Sequence, residues 1–289
     1  MVVVVVVDLA DSPLQVGISY PPILASWVDS GPVEIDIIEV VAEQFYKGGE
    51  GRLRALARDH RLVLHTARLS LGTPGPFDRN ELFWIAAAVD QANPLWLSEH
   101  LGFRRTAEVD LGFPNPLPLT RQSLDLMVQH AGELIEMFGR PFLIENIASP
   151  LRIGGTLSEP EFLNRLCEAS GCGLLVDLTA LAVNGRMHGF DPVRWLEEID
   201  LNHIVQIRLG SHAQRIGLWR DTNDGPIADD VWVLADRVLS SAPVRAAILQ
   251  RDAGFPPLGE LARELRRIKA SGRSSMVDAA LPHAPPSAP

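Results

Sequence analysis

The chain has 289 residues, 46% of them hydrophobic and 21% charged, an ordinary globular composition with enough length to bury a large core. Its net charge is −10 and its Lys and Arg residues are scattered, so no basic stripe can neutralise a phosphate backbone and nucleic acid is excluded as a partner. The two cysteines, Cys167 and Cys172, are too few for a disulfide framework and lack a second pair for zinc, so they read as core or helix-end residues in a reducing compartment.

Met1 opens a valine run through Val7 that ends at Asp8, without the basic region and small-residue cleavage site of a signal peptide. Residues 1–13 are set apart as a leader, compatible with a short strand or with disorder. No apolar run approaches the roughly 18 to 20 residues that span a bilayer, so a cytoplasmic protein without a membrane partner is expected. From Leu14 onward, short runs rich in Val, Ile and Leu alternate with segments of helical period, the pattern of repeated βα units. The runs are Leu14–Tyr20, Glu34–Glu43, Leu62–Leu69, Leu95–Phe103, Pro141–Ala148, Gly173–Val183, Ile204–Ser211 and Val244–Asp252. Most are apolar on both faces, as central parallel strands should be.

Between them, apolar residues three or four apart predict helices over Arg79–Asn93, Thr120–Gly139, Glu159–Gly171, Pro192–Asp200, Ala228–Ala242 and Leu258–Ala270. Ser158 with Glu161 forms a capping-box pattern, and Gly139 and Gly171 suit C-terminal stops. Eight βα units without a break in composition predict one α/β domain over residues 14–270, a single (β/α)8 TIM barrel of the xylose-isomerase type. Residues 271–289, rich in Pro and Ser, lack the apolar content to pack and are expected to be disordered.

In such a barrel the chemistry sits at the C-terminal ends of the strands. There the runs carry Glu39 and Glu43, His65, Glu99 and His100, Glu145 and Asn146, Asp177, Arg208 and His212, and Gln250 and Asp252. Two imidazoles and two carboxylates converging on one cavity form a donor set for iron, manganese or zinc. Glu145 and Asp177 are also costly to bury unpaired, which favours a functional role over a structural one. His188 and His212 fall in loops on the same face and are candidates for substrate contact, while Trp219 is a candidate ligand wall. His60, His130 and His203, read as helix-surface or strand-entry residues, and His283, in the tail, are given no role.

The stretches Ile38-Glu39-Val40-Val41-Ala42-Glu43, Leu64-His65, Ser98-Glu99-His100-Leu101, Ile144-Glu145-Asn146 and Gly171-Cys172-Gly173-Leu174-Leu175-Val176-Asp177 resemble the multinuclear non-heme iron-dependent oxidases (MNIO). The likeness continues through His188-Gly189, Leu209-Gly210-Ser211-His212, Asp221-Thr222, Val231-Trp232 and Pro256-Pro257-Leu258. It implies a barrel that binds two or three irons and, with dioxygen as co-substrate, oxidises residues of a ribosomally made precursor peptide delivered by a partner protein. On that resemblance His65, His100, Glu145, Asp177 and Asp221 match metal-ligand positions; among the strand-end and loop residues, Glu145 and Asp177 are the expected catalytic carboxylates, and Glu43, Asn146, His188, Arg208 and His212 the expected substrate contacts.

This chain departs from the family pattern, which has His where Val41, Arg208 and Asn223 stand and Glu where Gln250 stands. Valine cannot coordinate, arginine stays protonated, and Asn or Gln offers only a neutral carbonyl. One iron site is therefore expected, held by His65, His100 and Glu145, with Arg208 pointing inward to pair with Glu145 or Asp177. Three functions compete: a divergent iron-dependent peptide oxidase, a non-catalytic peptide- or partner-binding barrel with a decayed metal centre, and a metal-dependent isomerase or hydrolase of the sugar-isomerase type.

Overall fold

The computed structural model describes residues 13–106 and 108–279. The valine run and the last ten residues, on which the leader and much of the tail expectation fall, lie outside them. Eight parallel strands close a barrel in the order β1 (Gln15–Ser19), β2 (Ile37–Val41), β3 (Leu62–His65), β4 (Leu97–His100), β7 (Phe142–Glu145), β8 (Gly173–Asp177), β9 (Ile204–Leu209) and β12 (Ala246–Leu249), and β12 pairs back onto β1. Each lies inside one of the eight expected runs. Two hairpins, β5 (Phe103–Arg105) with β6 (Asp110–Asn115) and β10 (His212–Arg215) with β11 (Leu218–Asp221), extend the connections after β4 and β9.

Nine helices occur among the described residues: α1 (Ala25–Asp29), α2 (Glu50–Asp59), α3 (Arg79–Ala92), α4 (Arg121–Phe138), α5 (Glu159–Ser170), α6 (Leu178–His188), α7 (Pro192–Glu198), α8 (Asp229–Ser241) and α9 (Leu258–Ala279). Their ends follow local chemistry. Ser158 accepts the Glu161 N–H at 3.2 Å to start α5, and Gly139 and Gly171 close α4 and α5 in the left-handed region, with φ of 59° and 76°.

The sixth expected run, Gly173–Val183, splits in two. Asp177 ends the strand because its side chain accepts the Ala180 N–H at 2.8 Å and caps α6. Leu178 through Gly185 are all buried, and a helix buried all round shows no apolar stripe to distinguish it from a buried strand. At the C-terminal end α9 continues to Ala279, so the helix runs past residue 270 into the stretch expected to be disordered. His130 is also not a surface residue: it is 2% exposed, and its Nδ1 lies 2.8 Å from the Leu71 carbonyl. Cys167 and Cys172 are both free and buried, at the end of α5 and just before β8.

The barrel is packed in two shells. Helices cover the outer faces of the strands, while Ile37, Val63, Trp96, Leu143, Leu175, Ala246 and Ile248 form a separate core inside the ring. Side chains along a strand return to the same face every second residue. Two residues beyond Ile37, Val63, Leu143 and Leu175 stand Glu39, His65, Glu145 and Asp177, so the inward apolar layer is succeeded toward the C-terminal mouth by a layer of titratable groups.

Candidate metal centre

Cross-strand register sets which of these groups meet. His100 is registered beside Glu145 and Asp177 beside Arg208, and His65 neighbours Ser98. His65, His100 and Glu145 consequently offer ligand atoms that all lie within 4.8 Å of one another. Glu145 Oε2 is 3.5 Å from His65 Nδ1 and 3.9 Å from His100 Nε2. That oxygen is buried and accepts no hydrogen bond among the described residues.

The two imidazoles are held by different means. His100 Nδ1 lies 2.8 Å from Glu99 Oε1, and Glu99 Oε2 is fixed in turn by the Thr66 hydroxyl at 3.2 Å and the Leu69 N–H at 3.0 Å. A carboxylate on one ring nitrogen orients the other and raises its basicity. The ring of His65 stands edge-on to that of His100, with centroids 4.7 Å apart, and its Nδ1 lies 2.9 Å from Ser98 Oγ. Burial, with His100 and Arg208 adding positive charge nearby, pushes the His65 pKa well down, so this ring stays neutral. Burial also opposes charge on His100, but Glu145 and Glu99 outweigh it and raise its pKa.

Arg208 lies among these groups and is 5% exposed. One guanidinium nitrogen donates to Glu145 Oε1 and lies 3.9 Å from Asp177 Oδ2, and the other donates to Glu39 Oε1 at 2.9 Å. Glu39 is clamped from below as well, because its Oε2 accepts from Gln206 Nε2 at 2.6 Å and Gln206 Oε1 accepts the Trp96 indole N–H at 2.8 Å. Burial alone would lower the Arg208 pKa, but the three carboxylates reverse the sign and hold it permanently charged. They share a single guanidinium, so burial still pushes Glu145 up to about 7 and raises Asp177. Glu39 was visible in the sequence as an inward strand-end carboxylate, but nothing local marks its partner on the far side of the barrel.

The remaining candidates take separate places. Asp177 has one oxygen on the N-terminus of α6 and the other toward Arg208, outside the group of three. Asp221, at the end of β11, is solvent-exposed, which tempers the upward push on its carboxyl from crowding protein atoms, Asp177 and Asp252. Asn223 Nδ2 and Gln250 Nε2, at two positions where the resemblance leads one to expect a ligand, both donate to Asp252 Oδ2, at 3.1 and 3.0 Å. Val41 lies beside His65 in the register and offers no donor.

Glu43 Oε1 accepts the Ala67 N–H at 2.8 Å, and burial pushes its carboxyl up to about 7. Asn146 exchanges two hydrogen bonds with the backbone of Asp177, and His188 Nε2 lies 2.8 Å from the Ser149 carbonyl. His212 is held away from the group of three, its Nε2 2.8 Å from Asp230 Oδ1 and its ring against Trp219. A cavity of about 810 Å³ has none of His65, His100 and Glu145 in its lining. It opens beside them, starting one residue beyond His100 and two beyond Glu145, at Leu101 and Ile147. The group of three and this cavity are therefore neighbours and not one site.

Residues 15–273 match the family described as RiPP precursor modification enzyme MbnB/TglH/ChrH. The chain belongs to this family. A UPF0276 protein of Rhizorhabdus wittichii is 33% identical over 252 residues, covering 86% of this chain and 91% of that protein. A second, from Caulobacter vibrioides, is 29% identical over 249 residues, covering 85% and 89%. Among solved structures, L-ribulose 3-epimerase superposes with a TM-score of 0.59 at 13% identity, covering 94% of this chain and all of that one. Endonuclease IV from Thermus thermophilus gives 0.58 at 16%, covering 90% and 99%. At such identities these neighbours establish the fold alone, a xylose-isomerase-like TIM barrel. Family membership supports an enzymatic role on a ribosomally made precursor peptide, and no described helix is long and apolar enough to cross a membrane.

Proposed function

We propose that this family member is an iron-dependent peptide oxidase working with one metal ion, held by His65, His100 and Glu145. The observation that carries the reading is the division of labour on Glu145: Oε1 is taken by Arg208, while Oε2 is buried, without a donor, and faces two imidazoles. Two histidines and one carboxylate are the facial set that non-heme iron enzymes use, and a cation answers the unpaired oxygen. Bound iron would supply one-electron chemistry with dioxygen as co-substrate, at positions that the protein leaves open.

The residues of the chain do the rest. Glu99 fixes the tautomer and direction of His100, and the neutral His65 ring keeps a lone pair to donate. Arg208 holds Glu145 and Asp177 in place and supplies the positive charge that a further metal would otherwise bring, so the centre is mononuclear. Asp177 and Asp221, outside the group of three, are candidates for further ligation or proton transfer. A partner protein that delivers the peptide completes the proposal.

The same Arg208 supports a second reading. Because it already supplies a buried cation to these carboxylates, the pocket does not need metal for counter-charge, as in a barrel that only binds peptide. Iron analysis after anaerobic purification with added Fe(II) decides between them. One iron per chain, lost in His65→Ala, His100→Ala and Glu145→Gln, is the expected result. Two or three irons per chain, or none, refutes the mononuclear oxidase. Dioxygen uptake driven by a candidate precursor peptide then tests the oxidase chemistry itself.

A further inference from the structure

The 810 Å³ cavity beside the metal centre is a groove whose floor is tied to the ligand strands β4 and β7. Asn184 grips that floor by accepting the Ser149 N–H at 3.0 Å and donating to the Ile147 carbonyl at 2.8 Å. The segment 151–155 also lines the groove, with Leu151 and Ile153 58% and 40% exposed. Arg152, Ile153, Gly154 and Gly155 make no backbone hydrogen bond to another described residue. Although this segment is not part of a sheet, its exposed donors and acceptors are free to pair with an incoming extended peptide, as a sheet edge does in strand addition.

Charge adds a preference. Arg152 and Arg194 both line the groove and are exposed, and neither has an ion-pair or hydrogen-bond partner among the described residues. Elsewhere on the surface Arg121, Arg165, Arg186 and Arg237 each sit on a carboxylate within 3 Å. Of the acidic residues lining the groove, Glu159 takes the Trp195 indole N–H at 3.0 Å and feels Arg152 only through its field, and Asp191 caps α7 through the Val193 N–H at 2.9 Å. That leaves Glu198 against two exposed guanidiniums, of which Arg152 acts on Glu159 through its field and neither is ion-paired among the described residues.

We infer that this groove binds an extended segment of the peptide substrate, pairing with the main chain of residues 152–155 and placing an acidic side chain between Arg152 and Arg194. The inference rests on the peptide-modifying reading above and adds to it a site and a sequence preference.

The test uses fluorescence anisotropy on the full chain with two labelled synthetic peptides, Ser-Leu-Asp-Leu-Asp-Leu-Ser and its counterpart with Lys at both Asp positions. Wild type should prefer the acidic peptide by about tenfold, and the double variant Arg152→Glu, Arg194→Glu should reverse the order. The acidic peptide N-methylated at alternate residues should bind more weakly, since it lacks half its main-chain donors. Equal affinity for the two charged peptides, an unchanged preference in the double variant, or no effect of N-methylation overturns the inference. The double variant should keep the metal content of wild type. Metal without a peptide preference refutes the groove alone, and a peptide preference without metal refutes the oxidase alone.

Discussion

Replacing Arg208 with methionine removes the charge but keeps most of the volume. It leaves Glu39 Oε1, Glu145 Oε1 and Asp177 facing one another with no cation between them. The site is closed, with Glu39 1%, Glu145 3% and Asp177 4% exposed, so water cannot make up the loss. Removing one partner of a buried pair costs about 3–5 kcal/mol. At ~2–4 °C per kcal/mol for a chain of this size, Tm should fall by roughly 6–20 °C in chelator. Part of the strain is relieved by protonation. Without the guanidinium, the pKa of Glu145, already pushed to about 7, rises further. A carboxyl whose folded pKa is raised contributes stability that is lost as pH climbs through that value. The deficit of the variant should therefore be larger at pH 8 than at pH 6, and added Fe(II) should reduce it by restoring a cation. Thermal unfolding at both pH values, in chelator and separately in chelator-free buffer with Fe(II), reads all three effects. An unchanged Tm in chelator, or a larger deficit at pH 6, would mean that Arg208 is not the counter-charge of these carboxylates.

Three further outcomes are expected. The triple change Arg208→His, Asn223→His and Gln250→Glu should raise iron per chain above wild type, since it replaces a fixed cation and two neutral amides with groups that can donate to iron; unchanged iron content and unchanged melting in chelator would show that the three positions do not serve one site. Glu99→Ala frees His100 Nδ1 and should weaken iron binding by about 10- to 100-fold, measurable by competition with a chelator, and wild-type affinity would exclude the orienting role. Glu43→Gln mimics the protonated carboxyl at a site where burial pushes the pKa to about 7. Its Tm relative to wild type should rise as pH goes from 5 to 8, because wild type loses stability through that window as Glu43 ionises; a difference independent of pH would remove Glu43 from the list of perturbed groups.

The alternation of apolar runs with helical periods was enough to place all eight strands. This is because a period of two and a period of 3.6 are local properties of the chain. The same local logic put His65, His100, Glu145 and Asp177 at strand ends, two residues beyond inward apolar positions or at the adjoining mouth. It also put Arg208 inside. The fully buried α6 escaped because it has no polar face to reveal its period, and α2 because only Leu53 and Leu56 of its ten residues are buried. What only the tertiary structure decided is how the inward groups are matched. The barrel closure brings Glu39 on β2 to Arg208 on β9, 169 positions apart, and divides the two oxygens of Glu145 between a guanidinium and a pair of imidazoles. It turns Asp177 toward a helix N-terminus and sends Asn223 and Gln250 to Asp252. Register and closure depend on contacts between strands remote in sequence, so spacing along one strand fixes which residues face inward but not which of them meet.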